Sequence, residues 1–86
     1  MKPVKSLDGL ITRNSTLHSG RPVIDGTGIT VRAIAGMYKQ GLTPEEMTAE
    51  LPLSLTQVYA ALTYYHLNAQ EIEKDILEDA EQSLLK

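Results

Sequence analysis

The chain contains no cysteine, no tryptophan and no phenylalanine, and four tyrosines are its only aromatic residues. Without cysteine there is no disulfide framework and no thiolate metal site. That composition suits a reducing compartment, and a cytoplasmic location is the expectation. No apolar run approaches the ~20 residues of a membrane-spanning helix, and the N-terminus lacks the apolar core of a signal peptide. Positive charge is missing from the middle of the chain: no Lys or Arg falls between Lys39 and Lys74. A central nucleic-acid grip built on basic residues is therefore excluded, because affinity for phosphate comes largely from Lys and Arg.

The 86 residues amount to one small domain. A domain of this size buries only roughly 60–65% of its unfolded surface, so a homodimer or another partner would add useful core. The net charge of −3 conceals an asymmetry: residues 1–44 sum to +4 and residues 45–86 to −7. Opposite-sign halves predict two interaction surfaces, or two chains docking head against tail.

Two short stretches carry the same helix-start signal, Leu42-Thr43-Pro44-Glu45-Glu46-Met47 and Leu53-Ser54-Leu55-Thr56-Gln57-Val58. Each has a hydroxyl residue at the cap and Glu or Gln three positions on, with an apolar pair bracketing them. This is a capping box with a hydrophobic staple. Pro44 suits the first helical position, where a missing N–H costs nothing. Upstream, Thr30 can cap a helix whose apolar stripe is Val31, Ile34, Ala35 and Tyr38, with Gly41 as its stop. A short helix then runs to Pro52, and a third starts after Ser54 with Leu55, Val58, Leu62 and Tyr65 on its inner face. Its outer face reads Thr56, Gln57, Ala60, Thr63 and Tyr64. The centre of the chain is a helix-turn-helix.

Before it, Leu10 to Asn14 reads as a short strand and Ser15 to Gly20 as a polar turn. Arg21-Pro22-Val23-Ile24 and Ile29-Thr30-Val31 flank Asp25-Gly26-Thr27-Gly28, which predicts a β-hairpin with both glycines at positive φ. After it, an unbroken helix from Leu55 to Leu84 would be about 45 Å long at ~1.5 Å per residue, too long for so small a domain. Asn68-Ala69-Gln70-Glu71 repeats the capping pattern and predicts a break. The tail is an acidic amphipathic helix with the stripe Ala69, Ile72, Ile76, Ala80 and Leu84. Three regions result: a flexible N-terminus over 1–9, a β-hairpin plus helix-turn-helix domain over 10–68, and the acidic C-terminal helix over 69–86. The fold class is mainly α with a small N-terminal β element.

Catalytic motifs are weak. Asp25-Gly26-Thr27 reads as a turn, and Gly26-Thr27-Gly28 lacks the Lys-Ser/Thr of a phosphate loop. His18 and His66 stand far apart with no cysteine, so no metal site is expected. No nucleophile has a base beside it, and the chain reads as a non-enzyme without a cofactor. DNA contact would rest on Arg13, Arg21, Arg32 and Lys39 for phosphates, with Thr56 and Gln57 at the start of the third helix for base edges. A protein partner would meet Ile72, Ile76 and Leu77 as apolar anchors, with Glu73, Asp75, Glu78 and Asp79 as a charged rim.

The run Gly20-Arg21-Pro22-Val23-Ile24-Asp25-Gly26-Thr27-Gly28-Ile29-Thr30-Val31 and the later Gln57-Val58-Tyr59-Ala60-Ala61-Leu62-Thr63-Tyr64-Tyr65 together resemble domain-of-unknown-function family 433. Its members are often described as VapB-like antitoxins. Residues 10–75 follow the family order. Two positions depart from it: Gly28 stands where the family usually has Arg, and the loop from Pro52 to Ser54 is about one residue shorter. The resemblance implies a winged-helix-like helix-turn-helix, a homodimer, and an antitoxin that neutralises a PIN-like ribonuclease. It further implies promoter DNA binding by the N-terminal part and toxin binding by the C-terminal part. A stand-alone DNA-binding regulator and a homodimeric interaction scaffold are the alternatives.

Overall fold

Side-chain caps set the helix starts. The Thr30 hydroxyl accepts from the Ala33 N–H and opens α1, Val31–Lys39. Thr43 opens α2, Pro44–Glu50, and Ser54 opens α3, Leu55–Leu67. Both capping boxes close: Thr43 N–H donates to Glu46 and Ser54 N–H to Gln57, each at 2.8 Å. Gly41 takes φ +99°, a left-handed conformation that ends α1 without the steric penalty a Cβ would bring. The computed structural model describes residues 9–13 and 20–85, with side chains described through residue 78 in the last helix. The polar turn expected over Ser15–Gly20 lies outside these residues except for Gly20, and so does the N-terminus before Gly9.

The expected break is present. Asn68 leaves helical geometry at φ −130° and ψ 42°, and α4, Ala69–Leu85, follows it. The capping pattern there is spent differently. The Asn68 side-chain amide donates back to the Tyr64 carbonyl at 3.1 Å, and Glu71 turns to Arg13.

The β element differs from the hairpin read from the sequence. Val23–Ile24 (β2) pairs antiparallel with Ile11–Thr12 (β1), in the register Ile11 with Ile24 and Thr12 with Val23. The returning limb contributes one bridge, Val23 with Thr30, supported by Ile24 N–H to the Ile29 carbonyl at 2.9 Å. The cause is local. Thr30 is committed as the cap of α1 and Val31 is its first residue, so the chain turns helical before a second strand extends. Within the turn only Gly26 has positive φ, at 77°. Thr27 does the rest: its hydroxyl donates to the Ile24 carbonyl at 2.8 Å and accepts from the Ile29 N–H at 3.0 Å.

Helix α3 is the central element, packed by α1, α2, α4 and β1. That crowding buries Val58, Ala60, Ala61, Leu62 and Tyr65. Ala60, expected outside, is core, because neighbours surround more of α3 than a single stripe would. Leu55, expected inside, is 42% exposed at the tip of the helix. Tyr38 is likewise exposed and meets the His66 ring edge-on at a centroid distance of 5.8 Å. The fully buried side chains include Ile24, Val31, Ile34, Met47, Val58 and Ile72.

Candidate interaction site

Helix α4 docks with Ile72 and Ile76 inward, whereas Ala69, the first residue of the expected stripe, is exposed, and the side chains of Ala80 and Leu84 lie outside the described ones. Ile72 is fully buried in the same core as Ile24, Val31 and Ile34, and Ile76 packs half-buried against it. At 100° per residue, Glu71, Asp75 and Glu78 fall together along one side of this line, while Glu73 and Leu77 fall along the other. Both sides meet cations from the N-terminal half.

On the first side, the Arg13 guanidinium pairs with Glu71 and also donates to the Tyr64 hydroxyl at 2.8 Å and the Gly20 carbonyl at 3.3 Å. Arg21 reaches two acids one turn apart, its Nε 3.3 Å from Asp75 and its Nη2 3.5 Å from Glu78. The Asp75 side chain is only 13% exposed, whereas Arg13 and Glu78 are nearly half exposed. An exposed pair such as Arg13–Glu71 contributes about 0–1 kcal/mol. The buried isoleucine, rather than the charges, therefore anchors α4.

On the second side, Lys39 at the end of α1 straddles the Glu73 carboxylate, with Nζ 2.7 Å from each oxygen. The Tyr65 hydroxyl donates to the same carboxylate. The Lys39 hydrogen bond, then that of Tyr65, holds the Glu73 carboxyl below its usual range. The carboxylate in turn raises Lys39 and Tyr65 above theirs. Each group is pushed away from neutral pH, the opposite of the tuning that proton transfer needs. The cluster works as an ion clamp.

The charge asymmetry of the sequence is thus met within one chain. The candidate phosphate contacts Arg13, Arg21 and Lys39 are engaged by candidate rim acids or their neighbour Glu71. Arg32 is half-buried beside Ala33, Gly36, Met37, Gln40 and Ile76, around a hollow of about 360 Å³. Thr56 is exposed at the start of α3, but Gln57 is committed to the Ser54 cap. Of the expected apolar anchors, Ile72 is not a surface residue at all, because the core needs it. Leu77 is 62% exposed and Ile76 half-buried. These two line a hollow of about 440 Å³ with Lys39, Glu73 and Lys74. The Asp79 side chain lies outside the described ones.

Sequence reasoning did not place Glu71, Tyr64 or Tyr65 in the site. The i, i+4, i+7 spacing of Glu71, Asp75 and Glu78 was the available signal, since it puts one acid row beside the apolar line. Among the described residues, no group of three or more His, Asp or Glu has the arrangement of a metal site. Among the same residues, no helix is long and apolar enough to cross a membrane.

Comparison with curated proteins gives no significant match. Among solved structures, the chain is similar to a DUF433 member protein from Anabaena variabilis, whose crystal structure was determined at 2.00 Å resolution. The two share 28% identity and superpose with a TM-score of 0.76 over 83% of this chain and 71% of that one. The family model for DUF433, described as a protein of unknown function, matches residues 11–65. That span holds both strands, α1, α2 and most of α3, so the chain belongs to the DUF433 family.

Proposed function

We propose that this chain is a non-enzymatic, antitoxin-like regulator that binds a partner toxin of the PIN-like ribonuclease class through the outer side of α4. The observation that carries this reading is the exposed Leu77 beside the half-buried Ile76, rimmed by Lys39, Glu73 and Lys74. An apolar anchor inside a charged rim is the usual anatomy of a protein interface. The acidic excess of α4 complements the basic RNA path expected of a ribonuclease, and such complementarity speeds and orients association. Ile72 and the largely buried Asp75 leave the docking set, and Ile76, Leu77, Glu73 and Glu78 remain in it.

The test is capture of a PIN-like ribonuclease from the same organism by the full-length chain, together with inhibition of its RNA cleavage. Leu77→Asp should weaken capture at least tenfold while the circular-dichroism spectrum is unchanged. If the folded variant captures and inhibits like the parent chain, the α4 assignment is wrong.

A second reading, promoter binding by a homodimer, is favoured by the paired caps that hold α2 and α3 as a helix-turn-helix with Thr56 outward. In this reading the grip on phosphate falls to the N-terminal cations. A gel shift with the duplex upstream of the gene tests it, and no shift at low salt refutes it.

A further inference from the structure

We propose that Arg13 and Arg21 form a latent site for the phosphodiester backbone of nucleic acid, and that the Glu71, Asp75 and Glu78 carboxylates occupy it in cis. The two arginines come from either end of the segment that leads into β2. They converge on one side of α4, where three acids stand at successive turns. A guanidinium accepts carboxylate and phosphate oxygens through the same forked N–H geometry. A phosphate can therefore replace a carboxylate without rebuilding the site.

The placement favours exchange of side chains over release of the helix. Ile72 is fully buried beneath this row, so α4 stays docked. The outer members of the pairs remain accessible: Arg13 is 48% exposed and Glu78 46%. Asp75, at 13%, is the fixed member and holds Arg21 in position. Rotation of Glu71 and Glu78 away from the row exposes both guanidinium groups toward the same side. A polyanion arriving there competes with the carboxylates by mass action, and affinity is set by how well the acids hold their partners. A protein that engages the α4 carboxylates would free the arginines, and by linkage bound nucleic acid would favour that partner equally.

The ligand class rests on the DNA-binding reading above, but the site contacts backbone and is indifferent to sequence. Fluorescence anisotropy with a generic 20-base-pair duplex and a generic 20-nucleotide single strand separates the sources of phosphate. The comparison is between the parent chain and Glu71→Gln/Glu78→Gln, which leaves Asp75 and the buried anchor intact. The variant should bind at least one probe about tenfold more tightly. Neutralising two phosphates gives a salt slope near −1.8, so raising salt from 50 to 200 mM should cost roughly 12-fold in duplex affinity. Adding Arg13→Ala and Arg21→Ala to the variant should abolish the gain. Glu78→Gln alone, at the exposed end of the row, supplies a milder second variant with a two- to threefold gain. If the variants melt as the parent chain does yet bind neither probe more tightly, the latent site does not exist. Failure of promoter recognition alongside a gain on generic probes would defeat only the promoter reading.

Discussion

Replacing Ile72 by alanine tests whether α4 belongs to the core of this domain or merely extends from it. The side chain is fully buried in the core, where α4 packs against α1 and α3. Large-to-small changes of this kind cost 2–5 kcal/mol, from lost transfer energy and from the cavity left behind. Alanine is the better helix former by a few tenths of a kcal/mol, which offsets a small part. A net loss of about 3 kcal/mol is expected. A chain of this length is stable by about 4–13 kcal/mol in total, so the change consumes a large share of it. At ~4–8 °C per kcal/mol the melting temperature should fall by about 12–24 °C. Urea denaturation followed by circular dichroism measures the loss directly. Leu77→Ala is the internal control: at 62% exposure it should stay within about 0.5 kcal/mol of the parent chain. If both substitutions cost the same, or Ile72→Ala costs less than about 0.5 kcal/mol, α4 is not anchored by its apolar line and the docking argument fails.

The Lys39–Glu73–Tyr65 clamp predicts a two-sided pH dependence. Glu73 is held below its ordinary range in the folded chain, so its contribution is present above that range and lost as the pH falls through the depressed value. Lys39 is raised, so its contribution is complete below the ordinary lysine range and lost as the pH climbs past it. Thermal melts of Glu73→Gln across pH should show both arms flattened relative to the parent; unchanged arms would mean the clamp is not formed in solution. The glycines give opposite signs. Gly36 lies inside α1 with open space where a Cβ would stand, so Gly36→Ala should stabilise by about 0.5–1 kcal/mol. Gly41 sits at φ +99°, where alanine is strained, so Gly41→Ala should destabilise by at least about 1 kcal/mol. Denaturant midpoints of the two variants check this, and a loss of stability in Gly36→Ala would place a neighbour against that face of α1.

What the sequence by itself determined is what acts over three or four residues. A cap hydroxyl and the N–H it accepts are neighbours in the chain, so Thr30, Thr43, Ser54 and Gly41 were legible with their partners. Asn68 marked the break for the same reason, although the side chains around it were spent on other contacts. The apolar spacing of α4 was legible too, but not what would cover it.

Only the tertiary structure decided the rest. Val23–Ile24 had two possible strand partners, and the cap at Thr30 removed one of them, leaving Ile11–Thr12. Ala60 became core because α3 is surrounded, which no stripe on a single helix can reveal. The opposite charges of the two halves were plain in the composition, yet their meeting depends on how α4 is rotated once Ile72 enters the core. That rotation places Glu71, Asp75 and Glu78 against Arg13 and Arg21, and Glu73 against Lys39. Pairs separated by 34 to 58 residues leave no local pattern, because their geometry is set by packing and not by the chain between them.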